Sequence, residues 1–303
     1  MADRYDVAVL GAGVAGLSAA LWSARQNLRT IVIDPVGPGG QLMNAGELNS
    51  HAGLPPGIRG PDFVGRLIEQ VLERPVSMEF GTAEKIGRDS DGFVVDTDAG
   101  TFGSNSVVVA TGALARRLGV AGEDVFEGRG VSHCAICDGP MFAGRSVVVV
   151  GGGDSALEAA AYLSTLCPSV VLVYRGGKLG GLAELRSAVE NSAVQVMLDA
   201  QVVTIVGDGT VTGVRIRRGG VDEEVPVAGV FIEIGSDPAG QIAAGLAEID
   251  ACGAIVVDEN GMTSTPGLFA AGAVRARHRG QLASAVGEGV AVALAAGEWL
   301  AAR

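Results

Sequence analysis

An α/β protein built from two nucleotide-binding units is the fold class predicted here, and three features of the 303-residue chain predict it. A pattern of strand, glycine turn, helix and strand occurs twice. Hydrophobic residues make up 48% of the chain and charged residues only 18%, as buried parallel strands require. Glycine occurs 47 times, against roughly 21 at average usage, and it gathers at the turns.

The first pattern is Val7-Ala-Val-Leu-Gly11-Ala-Gly13-Val-Ala15-Gly16, an Ala-rich stretch, then Thr30-Ile-Val-Ile-Asp34. A β-branched run, a glycine turn, a helix-length segment and a second β-branched run make a βαβ unit with a phosphate-binding turn. Gly11 permits the tight bend. Gly13 has no Cβ, so a pyrophosphate can approach the backbone. Gly16 lets helix and strand pack closely. The phosphate then meets free N–H groups at the positive end of the helix dipole. Asp34 closes the second strand where a carboxylate would grip a ribose hydroxyl.

A strand-rich stretch follows. Phe93 to Phe102 reads as a hairpin, and Ser106-Val-Val-Val-Ala110-Thr111-Gly112 as a further strand and turn. The second βαβ pattern is Val147 to Val150, Gly151-Gly-Gly153-Asp154-Ser155-Ala156, an Ala-rich stretch, then Val170 to Arg175. Further strands are expected over Val211–Arg217 and Gly229–Gly235. Ala254 to Gly272 then leads into a long Ala-rich helix from about Gln281 to Ala301.

The length suits two domains, and the repeats give two Rossmann-like units. Hinges are expected at Gly112–Gly122 and Gly235–Gly240. The second repeat is then an insertion over residues 115–240, and residues 241–303 return to complete the unit begun by residues 1–114.

Charge and hydropathy exclude several partners. Twenty-two basic and 34 acidic residues give a net charge of −12, which repels nucleic acid. No apolar run is long enough to span a bilayer, and no stretch reads as a signal peptide. The expected location is the cytoplasm.

Cys134-Ala-Ile-Cys137-Asp138-Gly139 precedes the second repeat. Two cysteines at this spacing can close a small disulfide ring, bind metal, or pack as reduced thiols. Structural zinc usually takes four ligands. Only one pair is present, and His51, His133 and His278 show no ligand spacing. A redox pair is therefore the expected reading, with no metal. Asp138 could hold and deliver a proton beside it, or simply form a turn with Gly139-Pro140. Cys167 and Cys252 read as packing or surface residues.

These motifs together resemble the low-molecular-weight thioredoxin reductase family over essentially the whole chain. Cys134-Ala-Ile-Cys137-Asp-Gly is similar to that family's CATCDG, and Phe126 to Ser132 matches the run before it. Gly39-Gly40-Gln41-Leu42, Ala110-Thr111-Gly112, Gly151 to Ala156 and Thr265 to Gly272 also match. The resemblance implies FAD held by Gly11, Gly13, Ala15, Gly16, Asp34, Gly40, Gln41, Ala110, Thr111, Gly112, Gly272, Ala273 and Gln281. It implies NADPH on the inserted unit, at Gly151, Gly153, Asp154, Ser155, Ala156 and Arg175. Electrons would pass from the flavin to the Cys134–Cys137 disulfide, with Cys137 nearer the flavin, Cys134 attacking the partner and Asp138 as general acid. The implied partner is a thioredoxin-like protein or a small disulfide or dithiol, and the implied assembly is a homodimer.

Four stretches differ from the family pattern. The HRRxxxR cluster for the 2′-phosphate becomes Tyr174-Arg175-Gly176-Gly177-Lys178-Leu179-Gly180, with only Arg175 in place and no acid instead. AGD becomes Ala271-Gly272-Ala273. RQ becomes Gly280-Gln281, with an arginine moved to Arg279. ENFPG becomes Asn49-Ser50-His51-Ala52-Gly53. The missing arginines motivate a second reading, an FAD-dependent dithiol oxidase or a reductase fed by another electron donor. The altered flavin loops motivate a third, a non-catalytic redox sensor.

Overall fold

The computed structural model describes residues 4–45, 47, 48 and 51–303. The chain folds into two compact units. One comprises Met1–Leu114 with Asp237–Arg303, and the other Ala115–Ser236.

The first unit carries the first repeat: β1 (Arg4–Leu10), α1 (Val14–Arg25) and β2 (Thr30–Asp34). β2 pairs in parallel with β1 and with β3 (Val76–Phe80). On the other side of β1 lies the strand Gly100–Val109, also parallel, with Leu10 opposite Val109. The expected hairpin arm and the strand after it are thus one continuous strand. Its first half pairs antiparallel with Phe93–Thr97, and its second half pairs in parallel with Leu268–Ala270. The unbroken β-branched runs follow from burial on both faces. Val7, Val9, Val32 and Val108 face α1 and the C-terminal helix Leu282–Ala301. Ala8, Leu10, Ile31, Ile33, Val107 and Val109 face the opposite core, with Phe93 and Ile255. Small residues set the helix packing, since a Cβ on Gly289 would lie 2.2 Å from the carbonyl oxygen of Ala15.

The second unit repeats the plan. Its parallel sheet runs in the order Gln195–Leu198, Val170–Tyr174, Val147–Val150, Gly229–Ile232, Val131–Ser132. Alternate residues face opposite layers, as strand geometry dictates. Val147 and Val149 pack on the helix Asp154–Leu163. Val148 and Val150 pack on a three-stranded antiparallel sheet spanning residues 200–226. No helix among the described residues is long and apolar enough to cross a membrane.

Candidate functional site

In the first unit the glycine turn is fixed by close backbone contacts. The Gly11 N–H donates to the Ile33 carbonyl at 2.8 Å. Gly11 has φ +104°, and a Cβ there would lie 2.3 Å from the Ala110 oxygen. A Cβ on Gly16 would lie 1.9 Å from the Gly11 oxygen, whereas one on Gly13 would meet nothing within 4 Å. Gly11 and Gly16 are therefore demanded by packing, and Gly13 faces open space. No side chain caps α1. Its N–H groups at Val14, Ala15 and Gly16 precede the first intrahelical bond, from Leu17 to Gly13, so they are available to an anion.

Gly40, Ala110, Gly272 and Asp34 lie against this turn, whereas the side-chain bonds of Gln41 and Thr111 run to Ala113 and Ala239. Gly40 comes back over it, with a Cβ position 3.1 Å from the Gly13 Cα, and Gly39 N–H donates to the Ala12 carbonyl. Gln41 Nε2 donates to the Ala113 carbonyl. Ala110 N–H donates to Leu10 at 2.7 Å, Thr111 Oγ1 donates to the Ala239 carbonyl, and the Gly112 carbonyl accepts the Ala239 N–H. Gly272 packs on Ala15, with a Cβ position 2.8 Å from the Ala15 Cβ. Ala273 follows in a 3₁₀ turn, and Gln281 directly precedes the C-terminal helix, with no capping bond from its side chain. Asp34 Oδ2 accepts the Ala12 N–H at 2.8 Å, while Oδ1 accepts those of Val36 and Gly37. Its carboxylate is thereby held at the edge of a shallow pocket that Ala12, Gly37, Met78 and Phe80 also line. In the altered loop at 49–53, Asn49 and Ser50 lie outside the described residues.

In the second unit, Gly151 N–H donates to the Val173 carbonyl at 3.0 Å, repeating Gly11 and Ile33. A Cβ on Gly151 would lie 2.1 Å from the Glu233 oxygen and 2.7 Å from the Ala156 Cβ, while one on Gly153 would meet nothing. Asp154 Oδ1 accepts the Leu182 N–H at 2.7 Å, so this carboxylate anchors the Gly180–Leu182 loop. Ser155 and Arg175 are exposed. Burial first, and then the charge of Glu158, push the Glu233 carboxyl up to about 7.

Cys134 and Cys137, also in this unit, are joined as a disulfide with Cα atoms 5.4 Å apart. Cys134 caps the short helix Ala135–Asp138, where its Sγ accepts the Cys137 N–H at 3.1 Å. Its own N–H donates to Ser132 Oγ, and its carbonyl accepts the Asp138 N–H. Cys137 is the more exposed of the two. His133 Nε2 lies 3.5 Å from Glu127. Cys167 is buried, with Sγ 3.3 Å from the Phe142 carbonyl, and burial pushes its thiol up; Cys252 is exposed.

Comparison with known proteins gives this arrangement its family. A model of the pyridine nucleotide-disulphide oxidoreductases matches residues 5–289. The chain belongs to that family. Within it, the chain stands among the low-molecular-weight thioredoxin reductases. It is 38% identical over 289 residues to the thioredoxin reductase of Listeria monocytogenes, covering 94% of this chain and 90% of that one. It is 35% identical to the thioredoxin reductase of Mycolicibacterium smegmatis, covering 98% of this chain and 97% of that one. The crystal structure of Lactococcus lactis thioredoxin reductase superposes with a TM-score of 0.95 at 32% identity, over 99% of this chain and 100% of that one. As a member of this family the chain is an FAD-dependent disulfide oxidoreductase.

Three side chains at these sites escaped the sequence reading. Glu288 places a carboxylate on the Gly272 N–H, next to Ala273 where the reductase family has an aspartate. Glu233 meets Glu158 beside the second glycine turn. Asp199 lies against Gly177 in the loop that lacks the phosphate-binding arginines. Glu288 and Glu233 are acids inside otherwise apolar runs, a cue the sequence does offer. Asp199 offered none, because only strand register brings it there.

Proposed function

We propose that the chain is a thioredoxin reductase-like flavoprotein that carries electrons from a reduced pyridine nucleotide, through FAD, to Cys134–Cys137 and on to a thioredoxin-like protein disulfide. The observation that carries this reading is the Cys134–Cys137 disulfide on a family scaffold with two glycine turns, which open on free space at Gly13 and at Gly153. The relatives' names favour a reductase over a dithiol oxidase.

FAD fits the first unit. Its pyrophosphate would meet the uncapped N–H groups of α1, with room above Gly13, and the carboxylate of Asp34 would accept from a ribose hydroxyl. When bound, FAD supplies two-electron transfer between the nucleotide and the disulfide. The second unit would hold the nucleotide at Gly151, Gly153 and the first turn of the helix that follows. The resemblance implies NADPH, and Arg175 is the residue that matches its 2′-phosphate cluster.

The residues of the chain then do the thiol chemistry. Two electrons and two protons convert the disulfide to two thiols, with Asp138, the next residue along the chain, delivering a proton. Cys134, as thiolate, attacks one sulfur of the partner's disulfide, and the other leaves as a thiol. Cys137 attacks the mixed disulfide, so Cys134–Cys137 re-forms and the partner departs as a dithiol. A homodimer in the cytoplasm is the proposed setting.

Anaerobic addition of NADH and then NADPH, followed by a thioredoxin, tests the reading. Bleaching of the flavin and appearance of partner thiols are expected, with turnover lost in Cys134→Ser and in Cys137→Ser. A flavin that neither nucleotide bleaches would end it.

A further inference from the structure

The two glycine turns align residue for residue, which exposes a difference in how they meet a ribose. Gly11 donates to Ile33 and Gly151 to Val173. The next residue is Asp34 in the first unit and Tyr174 in the second. At this strand end a carboxylate reads the ribose 2′-hydroxyl, and an arginine accommodates a 2′-phosphate. Tyr174 does neither. Its ring lies across the turn, 2.5 Å from a Cβ position on Gly152 and 2.7 Å from one on Gly176.

A carboxylate stands one strand over. Leu198 pairs with Tyr174 at the end of the neighbouring strand, and Asp199 follows it. Asp199 adopts φ +53° and donates its N–H to the Gly176 carbonyl at 3.2 Å. Its carboxylate oxygens lie 3.3 and 3.5 Å from a Cβ position on Gly177. The side chain is exposed, and no hydrogen-bond donor among the described residues engages it. Gly176 and Gly177 add no side chain of their own. Arg175 and Lys178 are exposed, and Nη1 of the nearby Arg186 donates to the carbonyls of Gly180 and Gly181.

We infer that Asp199 is a specificity-determining residue for the dinucleotide, accepting a hydrogen bond from the adenosine ribose 2′-hydroxyl and repelling a 2′-phosphate, so that NADH is the preferred donor. The inference rests on the pyridine-nucleotide reading above. The repulsion opposes the attraction of Arg175 and Lys178 for a phosphate, whereas a hydroxyl incurs no such penalty.

The test is calorimetric binding of NAD⁺ and NADP⁺ to the full-length flavoprotein, with kcat/KM for NADH and NADPH measured beside it. NAD⁺ is expected to bind about tenfold tighter than NADP⁺, a ratio typical of one charged hydrogen bond gained or lost. Asp199→Asn keeps the left-handed turn, which asparagine tolerates, and should bring the two affinities to within about threefold, with the flavin spectrum unchanged. Equal or tighter binding of NADP⁺ by the unmodified protein overturns the inference while leaving the donor reading intact. So does a ratio that Asp199→Asn fails to move. Binding of neither dinucleotide overturns both.

Discussion

The carboxylate of Glu288 lies 3.0 Å from Nδ1 of His278, and the same oxygen accepts the Gly272 N–H at 2.8 Å. Both side chains are largely buried, at 11% exposure for His278 and 16% for Glu288. Residue 273 is alanine where the reductase family has aspartate, so α-helical Glu288 is the acid that fixes this loop. Gly272 in turn packs on Ala15 in the first turn of α1.

Glu288→Ala should therefore loosen the loop and weaken FAD binding. A lost charged hydrogen bond of this kind costs about 2 kcal/mol, which is roughly a thirtyfold rise in the FAD dissociation constant. Flavin fluorescence on dilution measures it. An unchanged dissociation constant would show that the loop does not depend on Glu288.

Gly13 and Gly16 should respond differently to alanine. In Gly16→Ala the new methyl meets the Gly11 carbonyl, an overpacking that costs roughly 1–3 kcal/mol in flavin-stripped protein. In Gly13→Ala the methyl meets open space and the backbone is extended at φ −67° and ψ 178°, so the flavin-stripped protein should stay within about 1 kcal/mol of the original. It should nevertheless retain less FAD, because the methyl fills the pyrophosphate's approach. Urea denaturation and the 450 nm to 280 nm absorbance ratio separate the two effects.

Glu233 predicts how stability changes with pH. Burial, and then the charge of Glu158, raise its carboxyl to about 7, against roughly 4.3 in an unfolded chain. Between those values the folded protein holds a proton that the unfolded chain releases. Stability therefore falls as pH rises through that window and levels off above it. Glu233→Gln should remove the fall and stabilise the protein at pH 8 by roughly 3 kcal/mol, with little effect at pH 4.5. Denaturation at the two pH values checks the sign. A gain of equal size at both would discount the proton linkage.

Glu123 is buried and fully engaged. Its oxygens accept the N–H groups of Leu118 and Gly119 and pair with Arg117 Nε at 3.1 Å. Glu123→Ala removes the acceptor from the Leu118 and Gly119 N–H groups, which water can partly reach, and should cost about 1–2 kcal/mol. The loss should appear in the cooperative unfolding of the second unit, followed by far-ultraviolet circular dichroism.

Local chemistry wrote most of this architecture in readable form. Val7 to Asp34 and Val147 to Tyr174 carry their strands, turn and helix within about thirty residues each, although the backbone nearest Gly11 and Gly151 belongs to Ala110 and Glu233, far along the chain. Cys134 and Cys137 likewise announce themselves by spacing. Asp199 and Glu288 do not. Asp199 reaches its loop only because Leu198 pairs with Tyr174, and Glu288, sixteen residues after Gly272, reaches it only through the way its helix packs. Such contacts are decided by strand register and helix crossing, which a linear reading cannot supply without the fold. The continuous strand Gly100–Val109 reads as two for a related reason: the polar Gly103 to Asn105 look like a break, yet Gly103 and Ser104 pair with Val94 and Phe93 on one side and with Arg4 and Tyr5 on the other.

The contact between Gly289 and Ala15 has a consequence for biosynthesis. Ala15 leaves the ribosome about 270 residues before Gly289. The second unit is contiguous and can fold once Ser236 has emerged, while the earlier-made half-sheet must wait for its covering helix. The piece translated first is thus the piece finished last, and a chain stopped before residue 282 would carry a complete insert on a scaffold with one bare face.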